Sequence, residues 1–389
     1  MATLNDPGEE HSAFTQWAIS RGVRVEGVRP SRIPRRGLGI VAETEIHEAG
    51  QGLVFVPISA LLTINNVPKS FKEKIGSISV HGLLAAFLVH GPESRLSTYA
   101  PWAKVWPSLS DFTESNPLLW PEILQRHLPP VAQEILDKQK KKFKTDFAAV
   151  RKAFPNSSRD DFMHAWMVVN TRTFYYVPRG MKKPPPPDDC LALCPFADYF
   201  NHTDEGCPVT FDAKGYTVSS DKPYKSGEEI YVSYGNHSND FLLVEYGFIL
   251  SSNKWDEFLL DDVILPKLSQ EQKDHLREAG FLGKYVVDGK TVCYRTQVVV
   301  RILLLSLYRW RRFVNGQDDG TREQAEVNKM ILELLVTASR KATTSGQATH
   351  IDLTVNGYNM GSGPYSIIMT RWRQIADLLS STVAQLKNN

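Results

Sequence analysis

Between Val23 and Leu62, apolar and polar positions alternate in short runs, "VRVEGVRP", "RRGLGIVAET" and "GLVFVPISALLT", separated by Gly or Pro. A period of two rich in β-branched residues predicts short, half-buried strands. From about Ile75 to Val177 the period lengthens. "SVHGLLAAFLVHGP", "LLWPEILQRHL", "PVAQEILDKQKKKFKTDFAAVRKAF" and "SSRDDFMHAWMVVNTRTFYY" set apolar residues three and four apart, which predicts amphipathic helices, the last opened by Ser and Asp caps. The Pro-rich "KKPPPPDD" (182–189) can neither continue a helix nor enter a sheet and predicts an exposed loop. Strands are expected again from Leu191 to Leu250, and helices from about Trp255 onward. The layout is β, helical insert, β, then a helical region, an α+β arrangement. The first strands are too few to be stable alone, so strands on both sides of the insert must share one folded unit.

Composition narrows the function classes. At 389 residues the chain is long enough for two domains. Lys plus Arg is 45 and Asp plus Glu 43, so the basic excess of a dedicated nucleic-acid binder is missing. The run "KQKKKFK" (138–144) reads as a solvated helix face, with contact to an RNA-bearing substrate particle as the alternative. Cys190, Cys194, Cys207 and Cys293 are too scattered for a disulfide framework, which points to a reducing compartment. Cys190 and Cys194 lack the further ligands of a zinc site and read as core residues, so no metal is expected. "MATLNDPGEEHSAF" carries no secretory pattern. "VVVRILLLSLYRW" (298–310), broken by Arg301, is shorter than the roughly 20 residues of a membrane span and reads as one buried helix.

Three stretches carry candidate chemistry. In "RGLGIVA" (36–42), two glycines flank Leu38; they serve a tight turn or let backbone approach a ligand. Arg172, near the end of "WMVVNTRTF", is either a helix-terminal cation or a carboxylate partner. "ADYFNHTDEGCPVTFD" (197–212) sets Asn201 and His202 behind an aromatic run. "SGEEIYVSYGNHSNDFLLVEYGF" (226–248) puts Tyr234 where a strand meets a turn, a position open to core packing or to function on a rigid support.

Taken in order, "RGLGIVA", "ADYFNH", "GEEIYVSYG" and "LLVEYGF", split by a long helical insert, resemble a SET-domain protein-lysine methyltransferase. More narrowly they resemble the Rubisco large-subunit methyltransferase-like branch. "FMHAWMVVNTRTF" resembles that branch's helix leading back into the SET fold, and "APWAKVWPSLSDFTESNPLLW" its Trp-Pro insert segment. The resemblance implies a SET domain over residues 20–250 with its helical insert at about 75–177, and a helical substrate-binding-like domain over 256–389. Two departures stand out. Arg36 occupies a position that is often acidic in relatives, and no Cys follows Phe248 except Cys293, so the zinc-binding post-SET motif is missing.

The resemblance further implies S-adenosylmethionine as cofactor, held by Gly37, Leu38, Gly39, Arg172, Asn201, His202 and Tyr234. Arg172 would meet its carboxylate, the Asn201 amide its amino acid end, and His202 its adenine through backbone. Thr171, Phe174, Asp198 and Tyr246 would line the substrate side, and Tyr234 would be the catalytic tyrosine. The implied activity is lysine N-methylation of a non-histone protein, a ribosomal protein or translation factor being the best candidate. The alternatives are a protein-histidine methyltransferase and a SET-derived binding module without turnover. The expected protein is a monomer of the cytoplasm or nucleus that binds a protein substrate with a target lysine, and neither membrane nor nucleic acid directly.

Overall fold

The computed structural model describes residues 6–34, 37–177 and 186–388. Eleven strands form the β part: β1 (Arg24–Val25), β2 (Val28–Ile33), β3 (Gly37–Ala42), β4 (Gly52–Pro57), β5 (Leu62–Thr63), β6 (Thr173–Tyr175), β7 (Leu191–Leu193), β8 (Asn201–Cys207), β9 (Val209–Phe211), β10 (Gly215–Ser219) and β11 (Glu229–Val232). They make three small sheets, ordered β1-β4-β10-β9, β2-β3-β11-β8 and β5-β7-β6. Every sheet joins strands from both sides of the helical insert, as the shortness of each β run requires. Ile230 of β11 lies opposite Ile40 of β3, Thr217 of β10 opposite Phe55 of β4, and Leu193 of β7 opposite Leu62 of β5. The fold class is α+β.

The insert supplies helices Val80–His90, Pro130–Ala153 and Arg159–Arg172. Ser79 and Ser158 cap two of them through side-chain oxygens. Trp102, Trp166, Phe87 and Phe162 are fully buried and join the strand residues Ile40, Val56, Ile230 and Val232 in one core. Full burial of each such side chain contributes roughly 1.5–3 kcal/mol. In helix Pro130–Ala153 the lysines at 138, 141 and 144 are exposed while Phe143 is buried, so the basic run lies on a solvated face.

Three segments differ from the sequence reading. Helix Glu9–Ser20 was not anticipated; it buries Phe14 and Ala18, and Phe14 stacks 6.2 Å from Trp102. Residues Asn239–Tyr246, expected as strand, are helical, with Leu242, Leu243 and Val244 buried in succession. A consecutive apolar run fits a buried strand as well as a helix buried on most sides, and the eight residues are too short for the period to decide. The apolar run at 298–310 is two helices, Tyr294–Leu304 and Leu307–Val314, because Leu305 and Ser306 are extended between them. Arg301 is buried all the same. Its guanidinium donates to Gln297 Oε1, Gln324 Oε1 and the Gly320 carbonyl, and lies 4.1 Å over the Phe313 ring.

Contacts group the chain into two units. One takes in residues through Leu119, Leu136–Asn236 and Glu245–Gly247; the other takes in Trp120–Ile135, His237–Val244 and Phe248–Asn389. The second is mainly helical, with long helices Gln324–Val355 and Gly363–Asn388 and a small pair of strands, β12 (Phe258–Leu259) and β13 (Val286–Val287). Among the described residues, no helix is long and apolar enough to cross a membrane. None of the four cysteines is in a disulfide, and Cys190 and Cys194 are fully buried.

Candidate active site

Strand β11 lies between β3 and β8, antiparallel to β3 and parallel to β8, with Tyr231 opposite Asn201. Ile230 and Val232 enter the core, so the period of two turns Glu229 and Tyr231 to the other face. There the Tyr231 hydroxyl donates to Glu229 Oε2. Asn201 Nδ2 donates to Glu229 Oε1 at 2.8 Å and to the Leu38 carbonyl at 3.0 Å. Residue 39 must be Gly for this amide to fit: a Cβ there would stand 2.7 Å from Asn201 Nδ2 and 2.9 Å from Glu229 Oε1. Gly37 serves a different need, a left-handed φ of 77° where β3 begins. Arg36 lies outside the described residues.

Past Val232 the chain leaves the sheet, and Tyr234 is fixed from three sides. Its hydroxyl donates to the Phe200 carbonyl at 2.6 Å, its backbone N–H donates to His202 Nδ1 at 3.0 Å, and its ring lies 4.9 Å from that imidazole and 5.1 Å from Tyr246. Burial holds the Tyr234 phenol above its ordinary value, with Arg172 pulling the other way. Burial, and then Glu245, push Tyr246 up to about 12. Tyr234 therefore keeps its proton near neutrality. Because that proton is directed at Phe200, the oxygen can only accept from a group entering beside it.

Arg172 closes helix Arg159–Arg172. Its Nη1 donates to the Asp198 carbonyl at 2.8 Å and lies 3.6 Å from Asp198 Oδ2. That oxygen also accepts from Trp102 Nε1 at 3.0 Å. Burial raises the Asp198 carboxyl above its usual range, and Arg172 and Trp102 pull it back. Just before this aspartate, Phe196 holds a φ of 69° and a ψ of −43°. A non-Gly residue there costs on the order of 1–3 kcal/mol, strain of a kind that gathers at functional sites.

A cavity of about 310 Å³ opens here, lined by Thr171, Arg172, Phe174, Asp198, Tyr234 and Tyr246 among others. All the residues expected on the substrate side thus meet around one space. The Thr171 hydroxyl, however, donates back to the Met167 carbonyl. Gly39, Leu38 and Asn201 do not line this cavity. They form the neighbouring cluster around Glu229, while His202 spends its Nδ1 on Tyr234, so the ring expected to serve through its backbone also positions the tyrosine.

Sequence reasoning missed Glu229, Trp102 and Tyr216, the last a cavity wall 5.6 Å from Phe174. The alternation along β11 puts Glu229 and Tyr231 on one face, but nothing in the sequence aims that face at Asn201. Two buried polar atoms beside the cavity stay open. Arg172 Nε and Asp198 Oδ1 are buried polar atoms with no hydrogen-bond partner among the described residues, an arrangement that calls for a ligand. With both hydrogens of Nδ2 engaged, Asn201 offers its oxygen as an acceptor.

A family model described as the Ribosomal lysine N-methyltransferase 2 C-terminal domain matches residues 258–383. Ribosomal lysine N-methyltransferase set11 of Schizosaccharomyces pombe is 30% identical over 346 residues, covering 83% of this chain and 86% of that protein. Ribosomal lysine N-methyltransferase 2 of Saccharomyces cerevisiae is 27% identical over 204 residues, covering 47% and 42%. The solved SET domain of LSMT bound to methyllysine and AdoHcy superposes with a TM-score of 0.68 over 98% of this chain and 92% of that one at 16% identity, a likeness of fold. The chain belongs to the SET-domain family of the ribosomal lysine N-methyltransferases and is an S-adenosylmethionine-dependent protein-lysine N-methyltransferase.

Proposed function

We propose that the chain methylates the ε-amine of a lysine in a ribosomal protein, with the cavity beside Tyr234 as the lysine channel. The observation that carries this reading is the convergence, on one cavity, of a tyrosine oxygen restricted to accepting, the buried Asp198 carboxyl and the aromatic walls Phe174, Tyr216 and Tyr246. The similarity to set11 along most of the chain, and the family match over 258–383, support a ribosomal protein over other non-histone substrates.

S-adenosylmethionine supplies an electrophilic methyl group on a sulfonium. The chain's residues have to bring a neutral amine to it. A lysine has a pKa of roughly 10.4 in water, and entry between Phe174 and Tyr246 strips solvent and favours the uncharged form. The Tyr234 oxygen accepts from the amine and orients its lone pair. Asp198 Oδ1 is a second acceptor, able to take the lysine's hydrogen bond on entry. Arg172 Nε would take the carboxylate of the cofactor's amino acid end and Asn201 Oδ1 its ammonium, while the backbone around Leu38 and His202 would flank the remainder. The C-terminal helical region would hold the folded substrate. Four cysteines without a disulfide support a reducing compartment, cytoplasm or nucleus, and we take the working form as a monomer.

The test is methyl transfer from labelled S-adenosylmethionine into ribosomes from cells lacking the enzyme, followed by mass mapping. A single modified lysine in a ribosomal protein is the expected result. Modification of histidine, or of non-ribosomal proteins alone, would displace this reading.

A further inference from the structure

We propose that Glu229 is a positioning residue for S-adenosylmethionine, setting the orientation of the Asn201 amide so that its oxygen meets the cofactor's ammonium group. The inference rests on the assignment of Asn201 as a cofactor ligand made above.

An asparagine side chain has two ends of nearly equal shape and opposite hydrogen-bonding sense, and its partners decide which way it points. Around Asn201 both Nδ2 contacts are acceptors: the Leu38 carbonyl at 3.0 Å and Glu229 Oε1 at 2.8 Å. Turning the amide over would set oxygen against oxygen at both places. Two acceptors converging on one NH2 group therefore leave Oδ1 pointed away from them, as an acceptor suited to an ammonium. Glu229 is itself held. Its second oxygen accepts from the Tyr231 hydroxyl, and Tyr231 shares its strand face. Gly39 completes the fit, since any Cβ there would press on both the Asn201 nitrogen and the Glu229 oxygen. Loss of the Glu229 oxygen would leave Nδ2 with the Leu38 carbonyl alone, so one hydrogen bond in place of two would hold the amide against turning.

The proposal separates a hydrogen-bonding role from a charge role. In Glu229→Gln, Oε1 still accepts from Asn201 and the new amide nitrogen can donate to the Tyr231 oxygen, so orientation survives while the charge goes. In Glu229→Ala both are lost. Calorimetry with S-adenosylhomocysteine, on variants whose thermal unfolding is recorded, should show affinity falling about tenfold in Glu229→Ala, staying within about threefold in Glu229→Gln, and falling about tenfold in Asn201→Ala. Glu229→Ala in the Asn201→Ala background should cost nothing further, because the effect travels through that amide. Methylthioadenosine, which has the nucleoside and no amino acid end, should bind all of them equally.

If Asn201→Ala binds as the wild type does, Asn201 is not a ligand and the proposal falls with it. A weakened Asn201→Ala beside an unaffected Glu229→Ala overturns the proposal and leaves Asn201 as a ligand. Equal losses in Glu229→Gln and Glu229→Ala assign the effect to charge, and a parallel loss of methylthioadenosine assigns it to general damage; either result overturns it. Glu229→Met removes both oxygens and keeps the length of the side chain, so the same tenfold loss is expected there if the alanine variant does not fold, and unchanged affinity in it would overturn the proposal.

Discussion

Tyr234 is where one atom separates packing from catalysis. Tyr234→Phe keeps the contacts with His202 and Tyr246 and removes the oxygen, along with its 2.6 Å bond to the Phe200 carbonyl. If that oxygen orients the amine, single-turnover methylation should fall roughly 100- to 1000-fold, the effect of losing one preorganised group worth about 2.7–4 kcal/mol. Cofactor affinity should stay within a few-fold, because the loss is felt in the transition state. Stability should drop by about 1–3 kcal/mol, since a buried carbonyl loses its donor. A rate within a few-fold of wild type would move the role to Tyr246. In the sequence, Asn201, His202 and Tyr234 stand out through four ordered motifs that resemble SET-domain enzymes; local pattern alone gives none of their roles, since a turn would account for Asn201 and core packing for Tyr234. Glu229 does not stand out, because a glutamate after Gly-Glu at the start of a strand reads as solvent-facing. Its partner Asn201 is 28 residues away, on a strand whose parallel pairing no local pattern announces.

Among the elements, helices Val80–His90 and Arg159–Arg172 show what holds the insert against the sheets. The His81 ring stacks 4.0 Å from Trp166 and its Nε2 donates to the Trp166 carbonyl at 2.9 Å. Asp146, from helix Pro130–Ala153, accepts from Ser79 Oγ and from Trp166 Nε1. Burial, and then Lys142, pull His81 from 6.5 down to about 3, against the Trp166 carbonyl. The unfolded chain therefore takes up a proton that the folded one refuses. Its contribution is present above about pH 6.5 and is lost as pH falls towards 3, at most about 1.4 kcal/mol per pH unit. Burial raises Asp146 above its ordinary value, which acts with the opposite sign. Urea unfolding of wild type and His81→Phe should isolate the histidine: the wild type's advantage should shrink from pH 7 to 4.5, and a constant gap would deny the buried neutral imidazole. Gly82 gives a second test. A Cβ there would stand 2.5 Å from Asp146 Cγ, and overpacking of about 1–3 kcal/mol outweighs the about 1 kcal/mol that Ala gains over Gly in a helix. Gly82→Ala should melt lower, and an unchanged or higher Tm would show that Asp146 yields freely. Helix periodicity exposed these elements well, whereas it missed Glu9–Ser20 and misread Asn239–Tyr246. In both, burial by distant residues decides the conformation.

For the whole molecule, the sequence reads as a SET domain over residues 20–250 followed by a helical domain over 256–389. It did not reveal that Trp120–Ile135 and His237–Val244 group with the C-terminal helices. What ties them there are single polar contacts across long separations: His127 Nε2 to Asp352 Oδ2 at 2.7 Å, Trp372 Nε1 donating to the His127 carbonyl at 2.9 Å, and Arg371 between two carboxylates. Arg371 is fully buried. Its Nε and Nη2 donate to Asp240 at 2.7 and 3.1 Å, and its Nη1 donates to Asp256 at 2.6 Å. Burial alone would pull the guanidinium down; Asp240 and Asp256 outweigh it and hold it above its ordinary value. An ion cluster of this kind is close to neutral against an apolar replacement of the whole, yet removing one member leaves buried charge uncompensated. Arg371→Met should therefore cost about 3–5 kcal/mol in denaturant unfolding, far more than the lost packing of a side chain of similar length. Adding Asp240→Asn and Asp256→Asn to Arg371→Met should recover a large part of that loss, because the stranded carboxylates go with the guanidinium. Recovery is the discriminating result. If the triple variant is no more stable than Arg371→Met, the cluster acts through its hydrogen bonds and shape, and the charge balance assigned to Arg371 is wrong.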